Sequence, residues 1–177
     1  MPKSGLNTSR MVRFLILFGL TVLVGFSLLF VPFTQPAVQR FSTSIVSAAA
    51  VLIRTFGGRA TAFSDILENP TSRFEIRMAN GCNGVNVTIL LWAAILAFPA
   101  TWAQKGKGLL AGTVAIHSVN MVRFISLYYL GQFNQRWFDF AHEYLWESLM
   151  MLDTLVVFWT WAYFVQKSGT VAHARAQ

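Results

Sequence analysis

Long apolar runs separated by short polar breaks dominate the chain. Residues 12–31, 84–103, 109–130 and 144–165 each read as one such run. Each reaches the roughly 20 residues that a helix needs to cross a hydrocarbon core. Four transmembrane helices are therefore expected. Residues 36–56 differ, because Gln39, Arg40, Ser42, Thr43, Ser44, Ser47 and Arg54 interrupt the apolar positions. That pattern predicts an amphipathic helix that either crosses or lies in the interface. Pro36 suits its first turn and Gly57-Gly58 its end. Residues 59–80 are polar. Within them SRFEIRM partly alternates, predicting a short strand, with Asn69-Pro70 as the turn before it and Asp65 and Ile66 in a partner strand. The expected fold is an all-α polytopic membrane protein: four transmembrane helices, one outer-surface amphipathic helix and a short β hairpin cap. No repeat or second domain shows, so residues 1–165 read as one membrane-embedded domain. Residues 166–177, with His173, read as a disordered tail.

Charge selects among topologies. Lys3, Arg10 and Arg13 stand before or at the very start of the first run, and Lys167 and Arg175 follow the last. Lys105 and Lys107 fall in a predicted tight GKG turn between the second and third. Positive residues near span ends stay cytoplasmic. If 36–56 does not cross, all of these cations share the cytoplasmic side with both termini. If it crosses, the two lysines move outside. The non-crossing arrangement is preferred. The first run is long for a signal peptide and lacks a small-residue cleavage pattern, so it reads as a retained anchor.

Composition agrees with a bilayer protein: of 177 residues 55% are hydrophobic and 12% charged, about half the charged fraction of soluble domains. The net charge of +7 comes from cations scattered singly, not from a stripe, which argues against nucleic acid as a partner. The six Trp read as interfacial belt and packing residues. A single cysteine excludes an intrachain disulfide. No cofactor or metal site is expected.

In this topology three polar residues reach similar depth on the outer side. Cys82, in NGCNG, opens the second span; Arg123 lies seven residues before the expected end of the third; His142 opens the fourth. A thiol near a cation and a helix start favours its thiolate, the nucleophilic form. Gly81 and Gly84 would allow close approach of a substrate backbone, and Asn83 or local N–H groups could bind an oxyanion. Arg within a span is costly unless it snorkels or finds a partner; Asn120, three residues back, shares its face. His142 has the proton affinity for acid–base work near neutrality, with Glu143 and Glu147 as neighbours. Deeper in the bundle, Asp153 and His117 need partners and are expected to pair with each other, with Asn86 one turn below Cys82 in the same polar seam. Against a catalytic use stand an inert buried thiol, a snorkelling arginine and an ordinary interfacial histidine. A transporter or channel component using Asp153 and His117 as a polar path, or a non-catalytic assembly subunit, are the competing functions.

Three segments carry a resemblance: NGCNGVNVT around Cys82, NMVRF around Arg123 and AHEYLWE around His142. Together with AAAVLIRTFGG and FEIRMANG before the cysteine, they resemble the exosortase/archaeosortase family, most closely its short exosortase H type. The resemblance covers roughly residues 37–161. It implies a multi-pass cysteine protease-transpeptidase of the bacterial inner membrane, with its active site facing the periplasm. Substrates would be exported proteins ending in a short motif, a transmembrane helix and a basic cluster, transferred to an acceptor nucleophile. By that resemblance Cys82 is the nucleophile, and Arg123 and His142 are the essential arginine and histidine. The commoner family motif has Ser-Gly after the cysteine; here Asn83-Gly84 stands, which fits the short type.

Overall fold

The computed structural model describes residues 8–174. In order, its elements are α1 (Thr8–Leu29), α2 (Gln35–Thr55), β1 (Thr61–Phe63), β2 (Ile66–Glu68), β3 (Glu75–Arg77), α3 (Val85–Ala97), α4 (Trp102–Phe133), α5 (Gln135–Phe140), a single π-helical turn (Ala141–Leu145) and α6 (Trp146–Ala174). The chain is a multi-pass membrane bundle. Helices α1, α2, α4 and α6 are long and apolar enough to cross a bilayer.

The second expected span is shorter than its apolar run. α3 has 13 residues, roughly 20 Å at 1.5 Å per residue, against a hydrocarbon thickness of about 30 Å. Both of its ends have local causes. Gly84 caps its start at φ 79, a conformation that suits glycine. Pro99 restricts the residue before it, and Phe98 is extended at ψ 140. The tight turn expected at Lys105 and Lys107 is also displaced. Thr101 and Gln104 form a reciprocal capping box that starts α4 at Trp102, so both lysines belong to its first turns. Gly106 and Gly108 do not break this helix. At Gly108 a Cβ would clash with the Trp161 indole, so the missing side chain lets α6 pack against α4 there.

α1 runs antiparallel to α3. Arg13 and Phe14 lie beside Leu96 and Pro99, while Phe26 and Leu29 lie beside Val85 and Asn86. α3, α4 and α6 pack on one another, with Leu91, Ile95, Ile116 and Met150 buried between them. α2 does not return along α1. It begins beside the start of α3, where Ala37, Val38 and Phe41 share a groove with Val85 and Thr88. It then continues past that point onto α4 and the sheet. Its buried stripe, Ser42, Ile45, Val46, Ala49, Ala50 and Ile53, has the spacing of one helix face. Length thus qualifies α2 as a span and α3 not, whereas packing puts α3 inside the bundle and α2 at its end. A Schellman closure ends α2, with Gly57 N–H donating to Arg54 O and Gly58 N–H to Ile53 O.

The cap is a three-stranded antiparallel sheet in the order β1-β2-β3, with Phe63 paired to Ile66 and Leu67 to Ile76. The expected hairpin is β2–β3. The additional strand, TAF, is too short to show alternation in sequence. Leu67 and Ile76 point into the core with Phe124, Leu127 and Tyr128. At the other end of the chain, α6 continues through Ala174, past residue 165 where the last apolar run ends. Residues 175–177, the end of the expected disordered tail, lie outside those described.

Candidate active site

Cys82 sits in a loop that its two neighbouring glycines shape. Cys82 N–H donates to Ala79 O at 3.0 Å, closing a four-residue turn with Gly81 at φ 98. This is the type II pattern, which calls for glycine at its third position. Gly84 then has two reasons to lack a side chain: its φ of 79, and His117 and Asn120, whose atoms a Cβ would meet at 3.2 to 3.4 Å. Between them, Asn83 is 1% exposed. Its amide donates to Ser42 Oγ at 3.2 Å, and its carbonyl accepts from Val85 N–H at 3.1 Å. Asn83 therefore ties the loop to α2 and α3 through its carbonyl and one of its two amide N–H bonds. The sequence reading singled out Asn83 but missed Ser42, which carried no signal beyond being one of several α2 hydroxyls.

The thiol itself is partly exposed and meets both expected partners. Cys82 Sγ lies 3.5 Å from His142 Nε2 and 3.9 Å from Arg123 Nη2. With Ile76, Arg77, Phe124, Leu127 and Phe138, these three line a cleft of about 90 Å³. Arg123 is 5% exposed. Among the described residues the ion pairs are Arg73–Glu68 and Arg77–Asp65, so this buried guanidinium has the sulfur, and no carboxylate, beside it. A buried cation without an anionic partner is costly, which makes the cleft a place that favours incoming or developing negative charge.

His142 is held by aromatic packing. It lies in the π-helical turn, a local widening often found at functional sites. Phe138 stacks on its ring at 5.7 Å between centroids and 11° between planes. Phe74 meets Phe138 edge-on at 6.4 Å and Tyr128 at 6.3 Å. Phe74 fits only because Gly131 has no side chain; a Cβ there would clash with its ring. The residue before β3 thus reaches His142 through two phenyl rings, Phe74 edge-on to Phe138 and Phe138 stacked on the imidazole. Phe138 was overlooked in sequence, although it stands four residues before His142, the spacing of helix neighbours.

The other expected polar residues do not join this group. Asn86 lines a separate groove between α1 and the cysteine loop, and Glu143 and Glu147 are exposed. The expected pair of Asp153 and His117 does not form. His117 Nε2 is 3.4 Å from Thr88 Oγ1, and its ring meets Phe41 edge-on at 5.0 Å. Helix direction explains the miss: His117 faces α2 and α3, whereas Asp153 follows Met150 on the α6 face that enters the lower core. Asp153 Oδ2, His117 Nδ1 and both amide atoms of Asn120 are buried without a hydrogen-bond partner. Among the described residues no three His, Cys, Asp or Glu side chains gather as a metal site.

Fold and site together define a polytopic helical membrane protein with a thiol–imidazole–guanidinium cleft at one end of its bundle. The chain matches no protein-family model, no curated protein and no solved structure at a significant level.

Proposed function

We propose that the protein is a membrane cysteine protease-transpeptidase of the exosortase kind, cleaving the C-terminal sorting signal of exported proteins. One observation carries this reading: a single cysteine within 3.5 Å of an imidazole and 3.9 Å of a buried, acid-free guanidinium. In the proposed cycle the Cys82 proton passes to His142 Nε2 and the sulfur attacks the scissile carbonyl. The C–N bond breaks as His142 returns the proton to the departing amine, leaving an acyl thioester. Water or an acceptor amine or hydroxyl then attacks the thioester, its proton returning through His142, and the thiol is regenerated. The Cys82 N–H is bonded to Ala79 and the Asn83 amide to Ser42. Arg123 lines the same cleft beside the sulfur and in this cycle stabilises the tetrahedral oxyanion.

The bilayer would carry the substrate's transmembrane helix beside the bundle, with its scissile bond near the level of Cys82. The distribution of cations supports a bacterial inner-membrane protein with cytoplasmic termini and Cys82 on the periplasmic side. A transporter reading loses its main support, because His117 and Asp153 face different neighbours. The decisive experiment co-expresses the protein with a tagged exported protein ending in a motif, an apolar helix and a basic cluster. Cys82→Ala is expected to abolish processing, on the order of 10⁴-fold or more, with unchanged membrane insertion. Full processing by C82A would rule out the thioester route, and the mass of the mature C-terminus reports both cleavage position and attached group.

A further inference from the structure

The end of the bundle remote from Cys82 carries a second, unrelated feature. α1 and the turn between α3 and α4 enclose a groove of about 390 Å³. Its walls are apolar and aromatic, including Phe14, Leu17, Pro99 and Trp102, and two cations, Arg13 and Lys105, stand at its rim. Lys105 donates to Leu96 O at 2.5 Å and lies 5.1 Å from the Trp102 ring. These contacts hold the ammonium in place without neutralising it, and they leave two of its three donors.

No carboxylate serves this end. The sequence has no Asp or Glu in residues 1–64, 76–138 or 154–177. The nearest in the fold is Asp153, eight residues along α6 from Trp161, which itself bonds Gln104 O; that is roughly 12 Å at the helical rise. Among the described residues, Arg13, Lys105, Lys107 and Lys167 thus have no Asp or Glu side chain at this end to balance their charge. Below the groove, Leu17, Leu20, Val24 and Leu28 form one stripe of α1 and are 38%, 56%, 52% and 50% exposed. From Leu17 to Leu28 that stripe runs roughly 16 Å along α1, comparable with the length of an acyl chain. Basic pockets between transmembrane helices, open to the lipid, recognise anionic head groups.

We propose that this groove binds one anionic phospholipid, its phosphate between Arg13 and Lys105 and its acyl chains along the α1 stripe. The site owes nothing to the chemistry at Cys82 and stands whether or not that reading holds. It fixes the first helix, which has no buried residue of its own within its apolar window, against α3 and α4 by a bridging lipid.

Native mass spectrometry of the detergent-purified full chain, titrated with phosphatidylglycerol or phosphatidylcholine, tests it. The expected result is one phosphatidylglycerol retained per chain at concentrations where phosphatidylcholine is lost. Arg13→Gln and Lys105→Gln should each weaken retention roughly fivefold, and the double variant roughly 25-fold. Lys107→Gln, outside the groove, should weaken it least, and melting curves in detergent verify that each variant is folded. Equal retention of both lipids, or unchanged phosphatidylglycerol binding by the folded double variant, overturns the site. Displacement of the bound lipid by soluble glycerol 3-phosphate would overturn the lipid itself as occupant, since it would show that the phosphate alone is recognised.

Discussion

Two polar groups lie within one helical bundle, less than two turns apart along α4, and they are built on opposite principles. In the upper one, Cys82, His142 and Arg123 touch one another and open into a cleft. In the lower one, Asn120, His117 and Asp153 are inside the bundle with polar atoms unpaired, and the latter two face different helices. Both groups draw on costly residues in apolar surroundings. The difference is that the upper set converges on one sulfur beside an open cleft, whereas the lower set is held by packing. Buried polarity alone therefore does not distinguish the two groups; convergence on a partly exposed thiol does.

Several substitutions would break or sharpen that contrast. His142→Gln keeps the size and a hydrogen-bonding side chain but removes the proton shuttle. Processing should fall by roughly 10²–10⁴-fold, read as the rate of substrate-tag release at equal expression. Near-normal turnover would move His142 out of the chemistry. Arg123→Met should lower the same rate by roughly 10²–10³-fold while leaving unfolding in detergent unchanged or slightly harder, because it removes an acid-free buried charge. A large loss of stability with processing retained would make Arg123 a scaffold residue instead. Gly84→Ala tests the floor shared by the two groups. Its positive φ and the nearby His117 and Asn120 atoms should cost about 2–3 kcal/mol by denaturation. Gly106→Ala, where nothing lies within 4 Å, should be neutral or slightly stabilising. The smallest effect is expected at Asp153→Asn: processing unchanged and stability within about 1 kcal/mol. Abolished processing by this variant in a folded protein would join the lower group to the mechanism and end the distinction.

Much of the site was legible in the chain because topology is a strong constraint. Once the apolar runs alternate direction, Cys82, Arg123 and His142 must arrive at similar depth, whatever the details of packing. Contact between them was not legible, since it depends on which faces of α4 and α6 turn inward. The same gap produced the failed pairing of His117 with Asp153, where shared depth was present and shared face was not. Phe138 and Phe74, which position His142, were hidden for a related reason. An aromatic residue in an apolar segment has many packing options, and only the missing side chain at Gly131 shows which one is used.

Hydrophobic runs, glycines and prolines by themselves determined the membrane class and both ends of α2, because each acts through solvent transfer or local backbone sterics. Tertiary structure alone decided that α3 stops at 13 residues, that α2 continues beyond it instead of returning, and that one polar trio meets while another stays apart. Those outcomes depend on side chains from distant segments competing for the same faces, and no local pattern records which of them wins.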